Sequence, residues 1–140
     1  GFAQGLENER SVGVFSQGSE DAEEKTLADA LPGLRPELAQ AAAMFLGLGV
    51  SQRSIREIAK ELGMTRYTTR LAVLDGLLGV AMLLGRRGIL GGREVEACRL
   101  IILEGRSLAD AARALRLTQH QVRSALERAR AIVAVAVQKR

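Results

Sequence analysis

The amino-acid sequence predicts an all-α protein, a compact helical domain built around two copies of one helical unit. Its composition favours helix over strand, because Ala, Leu, Arg and Glu dominate while only 3% of the residues are aromatic and only two are proline. Two segments that begin at Ser54 and Ser107, 53 residues apart, repeat the same order of polar and apolar residues. A chain of 140 residues, 47% of them hydrophobic, is expected to form one domain, or two very small ones that share a core.

The charges are distributed unevenly along the chain. Residues 1–30 hold seven acidic and two basic residues, although the whole chain has a net charge of +4. The basic remainder, and residues 106–140 above all, therefore suits a polyanionic partner. Since the chain has a single cysteine, Cys98, and a single histidine, His120, we expect no metal site and no cofactor.

The sequence argues against a membrane protein and against an enzyme. No stretch reaches the roughly 20 apolar residues that cross a bilayer, and the apolar run Leu71–Leu84 contains Asp75. Glu7, Glu9 and Arg10 interrupt the first residues before any apolar run, so we expect no signal peptide and a soluble, cytoplasmic protein. We find no Gly-rich phosphate loop, no Ser-His-Asp set and no paired carboxylates of the kind that catalysis requires.

The flanking elements follow from their start and stop signals. Residues 1–18 show no periodicity and are expected to form a flexible tail. Ser19 and the acidic residues after it suit the start of a helix that stops at Pro32-Gly33. Two further helices are expected over Pro36–Leu46 and Arg93–Leu103, ended by Gly47 and Gly105.

Each copy of the repeat predicts two short helices that meet at a sharp turn. Ser54 with Glu57, and Ser107 with Asp110, have the spacing of a capping box at the start of the first helix. Thr65 and Thr118 are the corresponding cap candidates for the second helix. The small residues Ala59 and Ala112 allow close approach of the helices, Met64 and Leu117 fill the angle between them, and Gly63 and Arg116 occupy the turns.

This arrangement is typical of a helix-turn-helix, so the fold prediction becomes an all-α domain with tandem helix-turn-helix units. Val122 and Ala125 are expected to face inward and to leave a polar outer face, whose side chains suit base edges and phosphates. The candidate DNA-binding residues are Thr65, Arg66, Tyr67, Thr68, Arg70, Thr118, Gln119, His120, Gln121, Arg123 and Ser124. The candidate phosphate contacts are Arg53, Lys60, Arg113, Arg128 and Arg130.

The second unit resembles a known family. The order of a helix, "EGRS", "AARALRLT" and "VRSALERAR" within Arg93–Val133 resembles region four of bacterial sigma factors, which contacts the −35 promoter element. The resemblance implies that Thr118–Ser124 face DNA, that Arg128 and Arg130 lie near its backbone, and that RNA polymerase is a further candidate partner. "SIREIAKELGMTR" is similar to the central domain of ParB/KorB-type partition proteins, and KorA/TrfB-type plasmid repressors share the "A…L-LT…V" pattern.

Two segments are apolar on nearly every side and must be buried. For Leu71–Leu84 we expect the core of the domain. For Ala131–Val137 the core and a homodimer contact are equally open, because two-fold symmetry commonly doubles a DNA half-site. Cys98 is expected to be a small buried residue. We divide the chain into the tail, residues 19–90 with the first unit, and residues 91–140 with the second unit.

Taken together, these features predict a sequence-specific DNA-binding regulator of transcription that binds double-stranded DNA. The alternative from another class is a protein-interaction adaptor that docks on RNA polymerase or another transcription factor. A plasmid partition protein is a third alternative. Arg123 and the Gln119–Gln121 run are expected to lead the base contacts.

Overall fold

A computed structural model describes residues 26–85, 88 and 90–138 of the chain. Within these ranges the protein is all-α, as the sequence predicts. The predicted tail, residues 1–18, and the predicted helix start at Ser19 lie outside the described residues. No helix in the described part combines the length and the apolar character needed to cross a membrane.

The helices follow one another with short connections. Residues 26–30 are helical (α1) and continue into a 3-10 turn, Leu31–Gly33. The further α-helices are α2 (Pro36–Leu46), α3 (Ile55–Leu62), α4 (Arg66–Leu83), α5 (Gly92–Cys98), α6 (Leu108–Leu115) and α7 (Gln119–Gln138). The predicted stops at Pro32-Gly33, Gly47 and Gly105 all coincide with helix ends or turns.

The predicted helix Arg93–Leu103 is present but changes character in its second half. Residues Arg99–Leu103 form a π-helical turn that follows α5 directly. The guanidinium of Arg99 spans this turn, because it donates to Glu96 at 2.5 Å and to Glu104 at 2.6 Å. The sequence periodicity over this segment predicts one regular helix and gives no sign of the π-helical turn.

α4 is the central helix of the larger of two hydrophobic cores. It packs against α2, α3 and α7, and its residues from Ala72 to Met82 are all buried. The predicted burial of Leu71–Leu84 is therefore confirmed except at the ends of the segment, where Leu83 is 43% exposed and Leu71 and Leu84 are half-buried. Gly76 allows the close approach of α2, because a Cβ there would lie 2.7 Å from the carbonyl oxygen of Leu38. Val133 of α7 is also fully buried in this core, whereas Val135 is half exposed.

A smaller core belongs to the second unit. It is built mainly of alanine, and its members are Ala97, Leu100, Ala111, Ala112, Val122 and Ala125. Leu108, Leu115 and Leu117 pack against its edge. The larger core contains buried side chains from the parts of the chain before and after residue 90. Those after residue 90 include Cys98, Ile102 and Leu126.

The second half of α7 contacts α4. Arg130 of α7 binds Asp75 of α4, and Ala134 and Gln138 of α7 line one cavity with Arg70 and Leu77 of α4.

Candidate nucleic-acid interface

The first unit is formed by α3, a turn and the start of α4. Ser54 and Glu57 form the predicted capping box, in which the Glu57 amide donates to the Ser54 hydroxyl at 3.2 Å and the Ser54 amide donates to the Glu57 carboxylate at 2.8 Å. The hydrogen bond that the carboxylate accepts from the Ser54 amide is the main cause of a lowered pKa at Glu57. Gly63 ends α3 at φ 69°, in the left-handed region that glycine adopts without strain. The hydroxyl of Thr65 then caps α4 by accepting from the Thr68 amide at 3.0 Å.

The second unit, formed by α6, a turn and the start of α7, has the same layout. Arg116 ends α6 at φ 57° and ψ 44°, the left-handed position that the comparison with Gly63 predicts. Thr118 and Gln121 form a capping box on α7, with distances of 2.9 and 3.0 Å.

One predicted capping box is only half formed. The Ser107 hydroxyl accepts from the Asp110 amide at 3.0 Å. The reciprocal bond to the Ser107 amide is absent from the described hydrogen bonds, because aspartate is one methylene shorter than glutamate. The Asp110 carboxylate instead pairs with Arg113.

The exposed faces of α4 and α7 carry most of the predicted DNA-binding residues. Thr65, Arg66, Tyr67, Thr68, Arg70, Thr118, Gln119, His120 and Arg123 are exposed, and Gln121 and Ser124 are half-buried. Tyr67 is 72% exposed, so its ring extends into solvent rather than into the core. Gln121 and the two cap threonines already use part of their hydrogen-bonding capacity within the protein.

The opposite faces of the same helix starts are buried. Val122 and Ala125 are fully buried, as predicted. Thr69, which occupies the position equivalent to Val122, is fully buried too, and its hydroxyl donates to the carbonyl oxygen of Thr65 at 2.8 Å. Because that bond satisfies the hydroxyl, a polar residue at this core position carries no orphaned donor.

The basic side chains near the two units fall into two groups. Four of the predicted phosphate contacts are held by carboxylates: Arg53 by Glu61, Arg113 by Asp110, Arg128 by Glu94 and Arg130 by Asp75. A second group forms no ion pair with any residue that the structure describes. Its members around the first unit are Arg56, Lys60, Arg66 and Arg70, and around the second unit Arg116 and Arg123.

The pair of Asp75 and Arg130 is the least exposed of these contacts. Two guanidinium nitrogens donate to the two carboxylate oxygens at 2.7 and 2.8 Å, a bidentate geometry. The hydrogen bond to Asp75 raises the pKa of Arg130 above its ordinary value. The pair could not be predicted from the sequence, because its members are 55 residues apart in the chain. The one signal in the sequence is a lone acidic residue, Asp75, within an apolar run.

The remaining titratable groups offer little chemistry. Cys98 is fully buried, as predicted, and burial raises the pKa of its thiol to about 12, so the nucleophilic thiolate is scarce at neutral pH. Among the described residues, no group of three His, Cys, Asp or Glu side chains is placed to hold a metal ion. His120, on the exposed face of α7, has no acidic partner in the described part of the chain.

Comparison of the chain with protein-family models, with curated proteins and with solved structures gives no match in any of the three.

Proposed function

We propose that the protein is a sequence-specific DNA-binding regulator of transcription, and that its two repeated units act as helix-turn-helix modules. The observation that carries the proposal is the exposed polar face at the start of both α4 and α7, each following a left-handed turn and each carrying arginines that no described carboxylate neutralises. Such a helix start can enter a major groove, where arginine binds guanine and glutamine binds adenine.

The charges support different roles for the unpaired and the paired basic residues of this surface. Arg66, Arg70 and Arg123 lie on the exposed faces themselves, and Lys60 lies in the last turn of α3. Under this proposal the first three contact base edges or the phosphates beside them, and Lys60 contacts a phosphate. Arg128 and Arg130 instead form contacts within the protein, because their guanidinium groups already donate hydrogen bonds to Glu94 and Asp75. An arginine already paired to a carboxylate would have to exchange that partner before binding a phosphate.

A salt titration of binding tests the proposal. Affinity of the full chain for a fluorescent 20-base-pair duplex of random sequence is measured between 50 and 300 mM salt. If about six phosphates are neutralised, the log–log slope is near −5. The variant Arg66→Ala/Arg70→Ala should reduce the slope by about 2. Arg35→Ala, which removes an exposed charge from the start of α2, is the matched control and should leave the slope unchanged.

Absence of duplex binding at low salt would contradict the proposal. Capture of RNA polymerase by a variant that lacks Gln119, His120 and Arg123, without any DNA affinity in the intact chain, would favour the adaptor function instead. Selection of duplexes from a random pool then separates sequence-specific from nonspecific binding, since a nonspecific protein enriches no motif.

A further inference from the structure

The cavity between α4 and α7 has a mainly apolar lining. Its volume is about 100 Å³, and the end of α2 and the start of α3 also contribute to its wall. The apolar side chains that line it include the half-buried Phe45, Ile55 and Val137 and the buried Val73, Leu74 and Leu77. An apolar molecule that enters this space therefore exchanges water for hydrocarbon contacts.

Two polar side chains complete the lining of the cavity. Arg70 and Gln138 are both exposed, so the cavity reaches solvent where they lie. No acidic side chain of the described residues lines the cavity, and Arg70 forms no ion pair within the described part of the chain. The Arg70 guanidinium therefore supplies a positive charge, without a described counter-ion, at the edge of an apolar space.

This combination fits a small molecule that has an apolar body and a carboxylate at one end. A guanidinium binds a carboxylate through two parallel N–H···O hydrogen bonds, which are stronger than those between neutral groups. The side-chain amide of Gln138 has two N–H groups that can donate to the same carboxylate. An ammonium ligand with the same apolar body would instead be repelled by Arg70.

The volume of the cavity limits the length of the ligand. A cavity of about 150 Å³ with a lining of Leu, Ile and Phe binds one benzene molecule, which has six carbon atoms. By the same measure, a cavity of about 100 Å³ accommodates about four carbon atoms. Pentanoate, with four apolar carbons and one carboxylate, matches both the volume and the charge.

We propose that this cavity binds a short apolar carboxylate, with its hydrocarbon chain in the cavity and its carboxylate on Arg70, and that this ligand competes with DNA for Arg70. The binding site itself does not depend on the proposed DNA-binding function, but the competition does. A bound carboxylate occupies the guanidinium and adds a negative charge to the face of α4 that carries Arg70. Ligand and DNA therefore weaken each other's binding, since coupling between two equilibria is reciprocal.

A titration of the full chain with a series of carboxylates tests the site without DNA. Methyl and arginine side-chain chemical shifts are recorded with acetate, butyrate, pentanoate and octanoate. We expect shifts at Leu77, Ala134 and the Arg70 Nε, and an affinity that rises about fourfold per methylene group up to pentanoate. Octanoate should bring no comparable gain, and butylammonium, which has the same chain of four carbons, should bind about tenfold more weakly than pentanoate.

Substitutions separate the charge from the cavity. Arg70→Gln should reduce the affinity for pentanoate about tenfold and remove the preference over butylammonium. Arg66→Gln, which removes an exposed arginine of the same helix outside the cavity lining, is the matched control and should change neither. Ala134→Leu fills the cavity and should abolish the gain from longer chains, whereas Val135→Leu, at a half-exposed position outside the lining, should leave it unchanged.

The competition is measured with the 20-base-pair duplex. Saturating pentanoate should reduce the affinity of the intact chain for the duplex about fivefold, relative to acetate at the same ionic strength. Arg70→Gln should remove that difference.

The contrary outcomes are distinguishable. Equal binding of pentanoate and butylammonium, or chemical-shift changes away from the cavity, would overturn the site. Binding of pentanoate in the cavity with an unchanged duplex affinity would overturn the competition. Failure of the chain to bind any duplex would overturn the proposed function and the competition, while the carboxylate titration would still decide whether the site exists.

Discussion

The two repeated units have the same layout but are held together by different means. The first unit is part of the larger core, because α4 is buried along most of its length and Gly63 makes the turn. The second unit has a small core of its own, made largely of alanine, and turns at Arg116 in a left-handed conformation. The same local geometry is therefore stabilised by the core of the whole domain in the first unit and by a few neighbouring residues in the second.

The units differ in charge as well. Arg56, Lys60, Arg66 and Arg70 surround the first unit without described carboxylate partners, whereas the second unit has Arg116 and Arg123. The second unit, however, carries the amide and imidazole side chains Gln119 and His120 on its exposed face. Under the proposed function, the first unit would contribute more of the salt-dependent affinity and the second unit more of the base discrimination.

The largest effect is expected at the ion pair that joins the units. Arg130→Ala leaves the Asp75 carboxylate in a largely buried position without its partner, and should lower the free energy of unfolding by about 3 kcal/mol. Urea denaturation measures the change. Arg113→Ala removes an exposed pair and should cost less than about 0.5 kcal/mol, so equal losses in the two variants would contradict the structural role of Arg130.

The next effect is expected at the close approach of α2 and α4. Gly76→Ala places a methyl group 2.7 Å from the Leu38 carbonyl oxygen and 2.9 Å from the Ala42 Cβ. The resulting overpacking should destabilise the protein by about 2 kcal/mol in the same assay. Gly92→Ala, at the start of α5, has nothing within 4 Å of the added Cβ and is the neutral control. A tolerated Gly76→Ala would show that the helices are packed less closely.

Substitutions in the two units are expected to affect the discrimination between DNA sequences differently. Arg123→Ala should reduce the preference for the correct base pair at one position of a selected duplex by about 2 kcal/mol, and Lys60→Ala should weaken all sequences alike. Competition binding against a panel of single-base substitutions measures both. Uniform weakening by both variants would mean that Arg123 contacts only the DNA backbone.

The smallest effects, of opposite sign, are expected at the two turns. Gly63→Ala forces a Cβ into the left-handed region and should destabilise the protein by about 1 kcal/mol, whereas Arg116→Gly relieves the same strain and should stabilise it by a similar amount. Thermal unfolding of the two variants measures the sign. Shifts of the same sign would contradict the equivalence of the turns.

Much of the local structure could be predicted from the sequence, because it depends on neighbours in the chain. The caps at Ser54, Thr65 and Thr118, and the left-handed turn at Gly63, follow from residue types at fixed spacing. The predicted capping box at Ser107 shows the limit of that rule, because only one of its two hydrogen bonds forms. Side-chain length decides whether the second bond can form.

What the sequence could not predict depends on residues far apart in the chain. Arg128 binds Glu94, 34 residues earlier in the chain, and Arg130 binds Asp75, 55 residues earlier. Two arginines that the sequence predicts as phosphate contacts are therefore held by distant carboxylates. Thr69 is a polar residue at a buried position, and a local hydrogen bond to the Thr65 carbonyl oxygen satisfies its hydroxyl. The packing of α7 against α4 has no local signal at all.

Backbone amide chemical shifts, recorded with and without a 20-base-pair duplex selected by the protein, test the DNA-binding role of the two units most directly. We expect the largest changes at Thr65–Arg70 and at Thr118–Ser124. Changes confined to α2 or to the connection between α4 and α5, with both helix starts unaffected, would contradict that role.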